Sequence, residues 1–66
     1  MNTLQIASNL LQLRKEAGKS QLEVAQDCNL TRQALSNYEL GKRVPGTDML
    51  LMLADYYGVT VDSLLR

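Results

Sequence analysis

The 66-residue sequence contains no histidine, tryptophan or phenylalanine, one cysteine, one proline, and acidic and basic residues in equal number. Each shortage removes a class of function. Without histidine, paired carboxylates in a recognisable setting or a phosphate-binding glycine loop, the chain lacks the acid–base and nucleotide-handling groups of an enzyme. One cysteine and scattered acids make no metal site, so no metal or other cofactor is expected. Cys28 has no partner for an internal disulfide. Its place on the apolar face of a helix makes it a small core filler, in keeping with a reducing cytoplasm. No apolar run approaches the roughly 18 residues of a membrane span, and no signal-peptide pattern opens the chain.

What remains is 45% hydrophobic residues in a length suited to one domain, residues 1–66. A chain of this size buries only about 60% of the surface its unfolded form exposes, so nearly every apolar residue is needed for the core. Zero net charge is unexpected for a chain that binds nucleic acid, but the charge is uneven. Residues 1–46 hold six basic and four acidic groups, a net +2, while residues 47–66 hold one basic and three acidic, a net −2. The acidic end is expected to face away from any polyanion.

Residues 3–17 read as a first helix. Asn2 or Thr3 can cap it, Ile6, Leu10, Leu13 and Ala17 form a core stripe, Leu4 and Leu11 widen the apolar face or reach a second surface, and Gly18 ends it. Ser20 and Glu23 make a capping box for a second helix, with Val24 and Ala25 behind it. Asn29 tolerates the left-handed conformation and turns the corner. Thr31 then caps a third helix, on which Ala34, Leu35 and Tyr38 share one face while Arg32, Gln33, Ser36 and Asn37 point elsewhere, and Gly41 stops it. Val44, Pro45 and Gly46 form a loop. Thr47 is expected to cap a fourth helix with the core stripe Leu50, Leu53, Ala54 and Tyr57, ended by Gly58, and Thr60 to cap a fifth through Leu65 with Asp62 in its first turn. With no strand pattern, the expected fold class is all-α, a compact five-helix bundle.

The segment from Ser20 to Leu40 resembles the helix-turn-helix of the phage-repressor and Cro-like, or XRE, family of bacterial regulators. Counted from Gln21, that family has a small residue fifth, Gly ninth and a branched apolar residue fifteenth, where this chain has Ala25, Asn29 and Leu35. Asn29 in place of Gly is the one departure. Glu39, Gly41, Lys42 and Pro45 match the family's ending, and the likeness covers nearly the whole chain. It implies a lambda-repressor-like DNA-binding bundle and an ion pair between Arg14 and Glu39 that ties the first helix to the third.

An α-helix fits the major groove, where each base pair shows its own donor and acceptor pattern. The expected base-reading residues are Arg32, Gln33, Ser36 and Asn37 on the helix from Thr31 to Leu40. For phosphate, Gln21 at the start of the second helix is the first candidate, as the resemblance also implies. Lys42 and Arg43 follow, then Lys19, with Lys15 weaker. Four or so base pairs cannot mark one site in a genome, so a two-fold dimer on half-sites about 34 Å apart is expected. The apolar stripe Met49, Met52 and Tyr56 with Val59, Val61 and Leu65 is the expected dimer interface, the competing reading being that these residues wrap the core. Together these features give a cytoplasmic transcriptional regulator, a repressor in the first instance. The alternative is a protein-interaction module such as an antitoxin or anti-repressor, which fits the zero charge but not the amides on the third helix.

Overall fold

The computed structural model describes residues 3–66, with side chains from residue 4 onward. Its helices are α1 (Thr3–Glu16), α2 (Gln21–Asp27), α3 (Arg32–Leu40), α4 (Thr47–Tyr57) and α5 (Val61–Leu65), and there is no strand among the described residues. The all-α bundle expected from the sequence is therefore the fold. Asn2 and the side chain of Thr3, the expected caps of α1, lie outside the described residues and side chains.

Local chemistry sets the boundaries. The Ser20 hydroxyl accepts the Glu23 N–H and the Glu23 carboxylate accepts the Ser20 N–H, closing the capping box of α2. Thr31 and Thr60 accept the N–H groups of Ala34 and Ser63 in the same way. Asn29 has φ 57° and is the one residue other than glycine with positive φ among those described. Its N–H donates to Gln26, and the Leu30 N–H donates to the Ala25 carbonyl at 2.7 Å, which satisfies the last carbonyls of α2 and turns Leu30 onto the core.

Two expectations fail. Ala17 is exposed rather than core-facing, because α1 stops at Glu16 and the chain turns at Gly18, while Ala7, within α1, is buried. Thr47 does not cap α4. Extended Gly46 occupies the cap position, its carbonyl accepts the Leu50 N–H at 2.9 Å, and Thr47 is already helical with no side-chain cap bond.

The fold places α1 at the centre. It packs against both α3 and α5, with α2 against α3 and α4 against α5. Ile6, Leu10, Val24, Leu35, Leu53 and Leu64 bring all five helices into one core and are almost fully buried. Each contributes about 1.5–3 kcal/mol of apolar transfer free energy. The Asn9 amide crosses from α1 to donate to the carbonyls of Ser63 and Leu64, satisfying the end of the short α5.

Candidate nucleic-acid interface

The inner face of α3 is held at its middle and its C-terminal end. Leu35 is fully buried, and Glu39 is a buried carboxylate, 6% exposed. Arg14 Nε donates to both Glu39 oxygens, at 2.9 and 3.2 Å, and Arg14 Nη1 donates to the Lys19 carbonyl at 2.9 Å. Gln21 Nε2 donates to Glu39 Oε1 at 3.0 Å. The Arg14–Glu39 ion pair implied by the resemblance is thus present, and Glu39 joins α1, α2 and α3 through charge-assisted bonds. At the same C-terminal end Gly41, with φ 75°, turns the chain so that the Lys42 and Arg43 N–H groups donate to the Asn37 carbonyl at 2.9 and 3.3 Å.

The remaining side of α3 carries the expected base readers. Arg32 and Gln33 are exposed, Ser36 and Asn37 half-buried, and Gln33 Nε2 donates to Asn37 Oδ1 at 3.2 Å. Lys42 and Arg43 are exposed at the end of the helix. Among the described residues the ion pairs are Arg14–Glu39, Lys19–Asp27 and Arg66–Asp62, so Arg32, Lys42 and Arg43 carry charges that no protein carboxylate neutralises. Zero net charge therefore coexists with unpaired cations at the two ends of α3, because the acids outside these ion pairs, Glu16, Glu23, Asp48 and Asp55, lie on α1, α2 and α4.

Lys19 sits differently from the exposed cationic candidates Lys15, Lys42 and Arg43. Its Nζ donates to Asp27 at 3.1 Å and to the Tyr56 hydroxyl at 3.0 Å and lies 5.2 Å from the centre of the Tyr56 ring. The Tyr56 hydroxyl donates in turn to Asp27 at 2.6 Å. This triad joins the α1–α2 turn, the end of α2 and α4. The Tyr56 hydroxyl, then Asp27, raise the Lys19 pKa, and the same hydroxyl, then Lys19, lower that of Asp27. The sequence reading missed the triad, since residues 19, 27 and 56 share no local pattern.

The six residues of the expected dimer stripe, Met49, Met52, Tyr56, Val59, Val61 and Leu65, are half-buried and pack against the core of their own chain. On α4 the most exposed large apolar side chain is instead Leu51, at 55%, and on α1 it is Leu4, at 70%. Tyr57, expected in the core stripe, is half-buried, and its hydroxyl is enclosed without a protein partner beside a shallow cleft of about 320 Å³. Burial pushes its pKa up to about 12. No cluster of potential metal ligands occurs among the described residues.

The profile of the helix-turn-helix family matches residues 10–64. The chain belongs to the XRE, phage-repressor-like helix-turn-helix family. Among its relatives, the HTH-type transcriptional regulator ImmR of Bacillus subtilis (strain 168) is 40% identical over 62 residues, which are 94% of this chain and 49% of ImmR. The HTH-type transcriptional activator BcrR of Enterococcus faecalis is 31% identical over 62 residues, 94% of this chain and 30% of BcrR. The SPbeta prophage-derived uncharacterized HTH-type transcriptional regulator YonR of Bacillus subtilis (strain 168) is 37% identical over 57 residues, 86% of this chain and 53% of YonR. This XRE-family chain spans about half or less of the length of these relatives. No solved structure matches it. Among the described residues no helix is long and apolar enough to cross a membrane.

Proposed function

We propose that this XRE-family chain is a sequence-specific double-stranded DNA-binding transcriptional regulator. It acts in the cytoplasm as a two-fold dimer, places α3 in the major groove, and represses by occupying its operator. The observation that carries the reading is the outer face of α3, where Arg32, Gln33, Ser36 and Asn37 stand clear of a buried Leu35 and Glu39, with unpaired Lys42 and Arg43 at the helix end. Those side chains match base edges: Arg pairs with guanine and the amides with adenine, at about 1–3 kcal/mol of discrimination for each good bidentate contact. Lys42, Arg43 and Gln21, and more weakly the already paired Lys19, take the phosphates and fix the register. Relatives named as transcriptional regulators, one of them an activator, support the class. Repression is the simplest mode, since occupancy of an operator by itself excludes other proteins.

Selection from random duplex DNA, followed by binding to the winners at several salt concentrations, tests this. The expected result is a two-fold symmetric motif with half-sites about one helical turn apart and affinity falling steeply with salt. No enrichment in low salt, with the protein shown to be folded, would overturn the reading in favour of a protein-binding module.

A further inference from the structure

The hydrogen bond between Gln33 and Asn37 is polarised, and its direction decides what each amide can offer a base. Gln33 is the donor, through Nε2, and Asn37 the acceptor, through Oδ1, at 3.2 Å. A primary amide has two N–H donors and a carbonyl oxygen with two acceptor lone pairs. Gln33 therefore keeps its carbonyl and one N–H, the acceptor–donor pair that complements the N6 donor and N7 acceptor of adenine. Asn37 has one of its two carbonyl lone pairs engaged and its carbonyl turned toward Gln33, and keeps both N–H donors, which suit guanine O6 and N7 or thymine O4.

The two residues are not equally fixed. Asn37 is half-buried, and its backbone carbonyl is held by the Lys42 and Arg43 N–H groups of the turn that ends α3. Gln33 is exposed and carries one more rotatable bond, so a contact with Asn37 restrains it more than it restrains Asn37. Four residues are about 6 Å of helix axis, and base pairs step by about 3.4 Å, so the two amides reach bases one or two steps apart.

We infer that Gln33 and Asn37 read DNA as one hydrogen-bonded unit, in which Asn37 positions the Gln33 amide for an adenine and itself presents donors to a guanine or thymine one or two steps away. The inference rests on the proposed role of α3. It assigns Asn37 two separate effects, one on its own base and one on the base of Gln33, and the two can be separated by substitution. Asn37→Asp keeps an acceptor for Gln33 and removes the donors, whereas Asn37→Ala removes both.

The test is selection from random duplex DNA with the wild-type chain and the variants Gln33→Ala, Asn37→Ala and Asn37→Asp, each first checked for an unchanged helical melting curve. Gln33→Ala identifies the base column of Gln33. Asn37→Ala is expected to lower the preference in that column by about fivefold or more, as well as flattening its own. Asn37→Asp is expected to leave the Gln33 column within about twofold of wild type while changing only its own column, the discrimination of a bidentate contact being larger than that. A Gln33 column untouched by Asn37→Ala, or lost equally in Asn37→Asp, overturns the positioning role while the regulator stands. Absence of any motif for the folded wild-type chain overturns the regulator reading and the inference together.

Discussion

Asn29 shows how one residue can do a glycine's work at a cost. Its φ of 57° closes α2 and aims Leu30 at the core, and a residue with a Cβ is strained there. Asn29→Gly is expected to raise stability by up to about 1 kcal/mol, and Asn29→Ala to lower it by a similar amount, read from urea midpoints. Tyr57 is the second informative residue. Its buried hydroxyl has no protein partner, so Tyr57→Phe removes a desolvated polar group without breaking a bond and is expected to melt no lower than wild type at pH 7. Its folded pKa of about 12 lies above the unfolded value near 10, so the unfolded chain loses the proton first. The associated stability is complete below about pH 10 and is lost as pH rises toward 12. Tyr57→Phe is expected to lose less stability across that window, and equal losses in the two proteins would show that other groups set it.

Among the elements, α3 depends on α1 and α2 through one carboxylate. Glu39 holds Arg14 and Gln21 at once, and the side chains of the ion pair are 14% exposed at Arg14 and 2% at Glu39. Glu39→Ala strands the Arg14 guanidinium and is expected to lower stability by about 2–4 kcal/mol, near the lower end for a fully buried pair because Arg14 keeps some solvent. An unchanged denaturation midpoint would contradict this. The α2 cap is a smaller effect: Ser20→Ala is expected to cost about 1 kcal/mol. Legibility follows the same division. Ser20, Glu23, Thr31, Gly41 and Gly58 act within a few residues along the chain, so their signals are local and the boundaries of α2 and α3 can be read from them. Thr47 misled because a hydroxyl before an apolar run satisfies the cap pattern, whereas the extended Gly46 satisfies the geometry. The triad of Lys19, Asp27 and Tyr56 was invisible for want of any shared period.

For the molecule as a whole, shape bears on the proposed dimer. The principal extents are 27, 23 and 20 Å, so two copies in contact have centres about 20–27 Å apart. Half-sites one helical turn apart need reading helices about 34 Å apart, which places each α3 about 4–7 Å outward from its own centre, on the side away from the partner. Helices α4 and α5 pack against each other and α5 against α1, while α3 packs against α1 and α2, so a contact through α4 and α5 is the one proposed for this dimer. In the proposed dimer, Leu51→Asp is expected to weaken self-association, seen in sedimentation equilibrium, without changing the monomer melt, because Leu51 faces solvent. Met52→Asp, by contrast, is expected to unfold the chain, since Met52 packs on the core. Lys42→Ala is expected to weaken binding to all DNA sequences alike and to reduce the slope of log affinity against log salt by about 1 per protomer.

The sequence by itself determined the elements and the class. Capping residues, left-handed turn residues and helical periodicity are properties of neighbours along the chain, and they gave five helices and a polar-faced third helix. The likeness to XRE regulators supplied the Arg14–Glu39 pair. Only the tertiary structure decided which apolar residues are interior and which charges remain free. Ala17 turned outward once α1 stopped, the Met49 and Met52 stripe wrapped its own core, and Lys19 was neutralised by Asp27 from the far end of α2. Burial and pairing depend on which elements meet in space, and a one-dimensional pattern carries no record of that.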